Sequence, residues 1–382
     1  MIDRRRLLGG SLGLAAGALL PGRALGVGAE IARPGLFASV AKDDTGKFIA
    51  TVFEADTGKE QARVQLPSRG HDLTQRPRRA GEPAELVAFA RRPGNFAVVF
   101  HPEAKTRPRW LTSREDRHFY GHGVFSPDGR LLFTTENDYE NGKGVIGVRD
   151  ATAGYRQIGE FTSGGIGPHD LAMLSDGHTL VVANGGILTH PDTPRLELNL
   201  ADMDPCLAYI DARNGDVLAT HRLAKDLHQL SIRHLTVGAD DTVIFGAQFR
   251  GPRYEIHPIV GRHRKGDSVA LLALPEKITG AMRNYVASLD SDAAGETAII
   301  SAPRGGLAIV VEVRSGRYLG RYELEQVFGV ARSTPATRTA AFVMTSGSGA
   351  LAEAGLLSEG GVVSARPQAI AKAWDNHLLA LA

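Results

Sequence analysis

Short apolar runs recur along this chain, each about four to eight residues long and bounded by Gly, Pro, Asp or Asn. The clearest stretch is HGVFSPDGRLLFTTEND at 122–138, followed by GVIGVRDATAGYRQIGEF at 144–161. It predicts four strands. The first runs into the turn Pro127-Asp128-Gly129, where proline presets φ, aspartate accepts from nearby amides and glycine takes positive φ. LLFTTEN is the second strand, a third ends at Val148-Arg149-Asp150, and YRQIGEF supplies the fourth.

The same unit returns along the chain. HDLAMLSDGHTLVVAN at 169–184 is matched by CLAYIDARNGDVLATHRL at 206–223, and RHLTVGADDTVIFGAQ at 233–248 by DSVALLAL at 267–274. YVASLDSDAAGETAIISAPRGG at 285–306 leads into LAIVVEVRSGRYLGRYEL, and GVARSTPATRTAAFVMTSGSG at 329–349 leads into the weaker GLLSEGGVVSARP. Upstream, residues 71–100 fit with a longer first turn. Two fragments remain: NHLLALA at 376–382 is an inner strand alone, and residues 35–67 lack one. Joined, they complete a blade. The expectation is an all-β, seven-bladed β-propeller in which the C-terminal strand completes the N-terminal blade and leaves no sheet edge exposed. Inner strands begin near 71, 122, 169, 234, 285, 329 and 377, and the one long gap, 65, is explained by an insertion at 185–205. A fixed period near fifty is the signature of a repeat architecture. A closed ring needs no second copy, so a monomer is expected.

The first 26 residues are set apart as a targeting segment. Arg4, Arg5 and Arg6 precede the Gly- and Ala-rich run Leu7 to Leu20, and small residues follow around Ala24-Leu25-Gly26. This pattern predicts a twin-arginine signal and a periplasmic protein. No other run approaches ~18 apolar residues, so no stable membrane span is expected. The propeller domain is then residues 27–382. Basic and acidic residues number 44 and 42 and are well mixed, which argues against nucleic-acid binding. The lone Cys206 excludes an internal disulfide, a thiolate-rich zinc site and an iron–sulfur cluster. There is no G-x-S-x-G elbow, Walker loop or C-x-x-C-H haem attachment, and no catalytic dyad of recognisable spacing. The balance therefore leans away from an enzyme.

Histidine falls in phase with the repeat. Five of the seven inner strands begin with it, at His71, His122, His169, His234 and His377, while Tyr285 and Gly329 take the other two positions. Inner strands of a propeller line the channel, so these side chains should ring one mouth, beneath the long connections 138–143, 185–205 and 249–266. Neutral imidazole is the commonest transition-metal ligand, and an all-N/O donor set suits iron, copper, zinc or nickel. Asp72 and Asp170 follow ring histidines directly and would orient them. Glu136, Asn137, Asn184, Gln248 and Arg304 end second strands and are further candidates, Tyr285 would serve as a phenolate, and His190 in the insertion could lean over the mouth. Arg233 beside His234 is unhelpful to a cation and suits an anion or carboxylate. The same ring would also serve as a water-filled structural network, or bind an anion when protonated. His257 and His263 fall in a basic loop; His101, His118, His178, His221 and His228 read as structural.

With these residues in hand, the chain resembles the exported bacterial propellers grouped as domain of unknown function 1513. The resemblance rests on RGHD at 69–72, HGVFSPDGRLLFTTENDYENGKGVIGVRD at 122–150, GIGPHDLAMLSDG at 165–177, VANGGILTHPD at 182–192, LSIRHL at 230–235, SAPRGG at 301–306 and WDNHL at 374–378. It covers essentially the whole mature chain. It implies a periplasmic role in iron, or copper, acquisition beside imelysin-like and di-haem-peroxidase-like partners. Rival expectations are a metal-dependent periplasmic oxidoreductase and a non-enzymatic interaction scaffold.

Overall fold

The computed structural model describes residues 35–381, except 79–80, 105, 195, 334–340, 357–360 and 365–366. The expected signal, residues 1–26, lies outside them. Seven antiparallel sheets are arranged as blades, six of four strands and one of five. Blade 1 is built as the sequence predicts. Its inner strand, Lys372–Ala380, pairs with Leu36–Asp43, and Phe48–Glu54 and Glu60–Gln65 follow outwards. Inner strands of blades 2 to 7 are Gly70–Gln75, Arg117–Phe125, Pro168–Met173, Leu230–Val237, Ser288–Ser291 and Val327–Arg332. In blade 7 the short pair Gln368–Ala369 lies beside the third strand, Ala350–Leu356. Among the described residues, no helix is long and apolar enough to cross a membrane.

A blade presents both faces to neighbours, so its middle strands are apolar throughout rather than alternating. Leu86–Ala90 and Phe96–Phe100, for example, are buried at every position. The apolar side chains gather into seven separate clusters, each a wedge between two adjacent blades. Ala88 and Val98 of blade 2 meet Val40 and Val52 of blade 1, and Leu180 and Val182 of blade 4 meet Phe133 and Ile146 of blade 3. The seventh wedge closes the ring. Phe37, Phe53, Trp374 and Leu378 of blade 1 pack on Ala331, Val343 and Leu351 of blade 7, with Phe53 and Trp374 rings 4.4 Å apart.

Turn chemistry follows the residues. At 126–130, Ser126 Oγ and the Arg130 amide both donate to Asp128 Oδ1, at 2.5 and 3.0 Å. Three expectations need correction. The third strand of blade 5 is Val260–His263, inside the stretch expected to be a long loop, and DSVALLAL contains the fourth, Ala270–Leu271. The glycines and prolines around 251–258 hid a strand only four residues long. His263 is accordingly buried, its Nδ1 2.5 Å from the Tyr209 hydroxyl, rather than part of a basic surface. Tyr285 precedes its strand and is held by an isolated bridge to Gln248.

Removing the seam's largest side chain tests ring closure. Trp374→Ala should cost about 3–5 kcal/mol, read as a lower urea midpoint. A loss below 1 kcal/mol, in the range of surface changes, would mean that this wedge does not hold the ring shut.

Candidate metal centre

Each ring histidine sits on an irregularity of its inner strand. Pairing with the second strand shifts between Gly70 and Leu73, Phe119 and Gly123, Pro168 and Asp170, and Ile232 and His234. In blade 1 the shift lies between Ser39 and Ala41, opposite the stretch containing His377. A bulge turns a side chain away from the regular alternation and leaves backbone groups unpaired. Second-strand hydroxyls satisfy some of them: Ser39 Oγ donates to His377 O at 2.6 Å and Thr135 Oγ1 to His122 O at 3.2 Å. Two glycines make room. Gly121 has φ +112°, and a Cβ there would lie 2.4 Å from His71 Cδ2. At Gly329 a Cβ would lie 2.5 Å from Thr345 Oγ1 of its own blade, 3.0 Å from Leu378 Cβ and 3.1 Å from the His377 carbonyl carbon, so the second strand of blade 7 and the closing strand together take the space a side chain would need.

Five consecutive blades thus bring five imidazoles together, each at most 7 % exposed. Ring centroids of His71 lie 4.9 Å from His122 and 4.8 Å from His377, and those of His169 and His234 are 4.5 Å apart. His234 and His377, from non-adjacent blades, are 4.8 Å apart, so the cluster plugs the channel rather than lining it. Ligand atoms of His71, His122 and His377 lie within 4.8 Å of one another, as do those of His122, His169 and His234.

His122 Nδ1 lies 3.0 Å from Asp72 Oδ2 and 3.2 Å from Asp170 Oδ1. Burial disfavours its charge, but Asp170 and Asp72 outweigh that and raise its pKa to about 10. Burial pulls the other four down. His71 and His169 and His234 fall well below 6.5, helped by neighbouring imidazoles, and His377 falls to about 4. Arg233 Nη1 lies 3.4 Å from His169 Nδ1, a weak bond that places the proton of neutral His169 on Nε2. Within the cluster seven imidazole nitrogens have no hydrogen-bond partner: both of His71, both of His234, and Nε2 of His122, His169 and His377. Buried polar atoms without partners are uncommon and call for a reason.

Of the other sequence candidates, Asp72 and Asp170 reach the cluster through His122. Tyr285, Gln248 and Arg304 line a cavity above it, with Arg304 stacked 4.4 Å from the Tyr285 ring. Glu136, Asn137 and Asn184 turn elsewhere. Glu136 accepts from Thr134 Oγ1 at 2.7 Å inside its blade, with Arg149 3.4 Å away. Asn137 donates to Thr189 O, and Asn184 accepts from Ser163 Oγ. His190 lies against Tyr139, with Nδ1 accepting from the Asp192 amide. At these three second-strand ends the side chains of Glu136, Asn137 and Asn184 turn away from the axis, whereas Gln248 in the corresponding place of blade 5 faces the cavity.

The cavity measures about 730 Å³; His71, His169 and His234 form part of its wall. Arg69, Arg91, Arg92 and Arg250, also lining it, were not among the sequence candidates. They share the phase of the histidines, beside inner-strand starts or just after second strands, and that signal would have found them.

Seven antiparallel blades closed into a ring, with side chains offered to the axis, make a β-propeller; here those side chains form a candidate metal centre. The chain belongs to the family described as Protein of unknown function (DUF1513), whose model matches residues 64–381. No curated protein matches it in sequence. Among solved structures it is similar in fold to hydrazine synthase of Kuenenia stuttgartiensis, at TM-score 0.58 and 16% identity, over 89% of this chain and 98% of that one. A chain of the mitotic checkpoint complex matches at TM-score 0.54 and 10% identity, over 78% of this chain and 81% of that one. At these identities the likeness concerns the fold alone.

Two outcomes test this geometry. Gly121→Ala should displace His71 and cost about 1–3 kcal/mol through strain at positive φ; unchanged thermal stability would mean the contact relaxes freely. Four histidines with lowered values bind protons more readily when unfolded, so they take stability away as pH falls below about 6.5. His122, raised to about 10, stabilises fully below about 6.5 and loses that contribution as pH rises through its folded value. The melting temperature of metal-stripped protein should therefore peak near neutrality and fall on both sides. A flat profile from pH 7 to 5 would contradict the burial of these rings.

Proposed function

We propose that this protein binds a transition metal ion, iron or copper, at the histidine cluster and handles it in the periplasm during metal acquisition. The observation that supports this best is the set of seven partnerless imidazole nitrogens in a buried space fed by five blades. A structural network would spend those atoms on one another or on nearby carbonyls. Neutral imidazoles held neutral by burial are ready to ligate, and an N/O donor set fits iron or copper. His71, His122 and His377 form the preferred set, because Arg233 already engages His169. The Asp72 and Asp170 carboxylates would fix the orientation of His122 through Nδ1, leaving Nε2 towards the ion. Binding there displaces the proton that the two carboxylates favour. Bound iron or copper would supply a Lewis-acidic, redox-active centre.

The working partners in this reading are imelysin-like and di-haem-peroxidase-like periplasmic proteins, reached after export by the twin-arginine route. Support for that placement comes from Arg4, Arg5 and Arg6 before an apolar run and from the family resemblance. The channel plug suits storage or transfer of an ion more than rapid turnover, since all five rings of the cluster are almost fully buried.

Elemental analysis of the exported protein, purified without a histidine tag, should find near-stoichiometric iron or copper. His71→Ala and His377→Ala should each weaken metal affinity by about a hundredfold or more while melting cooperatively. His122 is a poor choice for this test, because removing it leaves Asp72 and Asp170 unpaired. Metal-free protein that takes up neither ion would overturn the reading.

A further inference from the structure

The cavity above the histidines is a basic mouth. Six arginines line it, and Glu197 is the one acidic side chain among its lining residues. Two of the six are neutralised. Arg69 holds Asp375 through two bonds, Nε to Oδ2 at 2.5 Å and Nη2 to Oδ1 at 3.0 Å, and Arg250 pairs with Glu197. Arg91 reaches Asp375 only at 3.8 Å, and its Nη1 has no hydrogen-bond partner. Among the described residues, Arg92, Arg233 and Arg304 have no carboxylate within ion-pair distance. Arg233 is 6 % exposed, and its Nε is buried without a partner.

Burying the unpaired Arg233 guanidinium is costly, and three further weakly neutralised ones beside it, half-buried at Arg91 and Arg92 and exposed at Arg304, add mutual repulsion. Burial, with Arg92 and Arg250 nearby, pushes Arg233 down to about 9. Such an arrangement is stabilised by an anion. Guanidinium matches carboxylate geometry with two parallel bonds, which favours carboxylate over a halide. The four groups come from three blades: Arg91 and Arg92 follow the second strand of blade 2, Arg233 lies on the inner strand of blade 5, and Arg304 follows the second strand of blade 6. A space of about 730 Å³ with charges spread round its wall exceeds the reach of a single small oxyanion. Stacking on Tyr285 holds the Arg304 guanidinium in place.

We propose that this mouth binds a polycarboxylate through Arg91, Arg92, Arg233 and Arg304, and that metal reaches the histidines as the anionic chelate. The first half stands on the arginines alone; the second rests on the metal reading above. It also resolves an awkward feature of that reading, for a basic mouth repels a bare cation but attracts a negatively charged complex. His169, with its proton on Nε2, then acts as a donor at the boundary of the two sites rather than as a ligand.

Calorimetry on the metal-stripped full chain, with citrate as probe, tests the first half. Citrate should bind at least tenfold more tightly than acetate or sulfate, and Arg304→Gln should weaken it at least tenfold. Arg233→Gln should do the same, but Arg304 is less buried and gives the safer variant. No citrate binding at millimolar concentration, equal affinity for sulfate, or an unchanged Arg304→Gln variant would each overturn the proposal. Gel filtration after loading with iron(III) citrate tests the second half. Wild type should retain iron and citrate together, Arg304→Gln iron with little citrate, and His71→Ala citrate with little iron. Iron retained by wild type without citrate would sink the chelate step and leave the metal site standing. Citrate retained without iron by wild type would leave the polycarboxylate site standing and sink the metal reading, and the chelate step with it.

Discussion

The structure depends on where its apolar side chains are obliged to go. Seven sheets must each bury two faces, and they do so against one another, in seven wedges that run round the ring. No wedge needs the axis. A layered domain with one core would be penalised for five imidazoles at its centre, because they would displace apolar contacts. Here the centre is the one interior region where polar groups compete with nothing, and the sequence fills it with histidine.

Backbone irregularity gathers the histidines there into a candidate site. A regular inner strand would alternate its side chains between the two neighbouring blades and send few to the axis. The shifts in pairing at the histidines break the alternation, and hydroxyls such as Ser39 and Thr135 stabilise the carbonyls involved. Asp170 shows the economy of the arrangement: it reaches His122 of blade 3 while accepting from the Leu235 amide of blade 5, so one carboxylate ties three blades together.

Most of the fold was legible because a propeller repeats its errors and its signals alike. The Pro-Asp-Gly turn, the period near fifty, and a lone C-terminal strand matching an N-terminal stretch that lacks its inner strand specified seven blades and the manner of closure. The histidines were legible for the same reason, since phase within a repeat reports distance from the axis. What stayed hidden depends on direction rather than phase. Glu136 and Asn184 end second strands at the expected height but face sideways, and sequence does not reveal which way an irregular strand turns. The third strand of blade 5 was missed because a four-residue strand among glycines and prolines has too little pattern to register. Of the arginines of the mouth, Arg233 and Arg304 stood out in the sequence, whereas Arg69, Arg91, Arg92 and Arg250 differ from ordinary surface charge only in their phase within the repeat.

His377 belongs to the strand that closes the ring, whereas the other four histidines stand on blades 2 to 5. An ion shared between His377 and His71 would therefore act as a clasp across the seam, like a cross-link between strands far apart in sequence. Opening the propeller at blade 1 would then mean unmaking coordination bonds together with strand pairing. The loaded ring should resist peeling and come apart all at once, so that occupancy of the centre is felt as mechanical integrity of the whole.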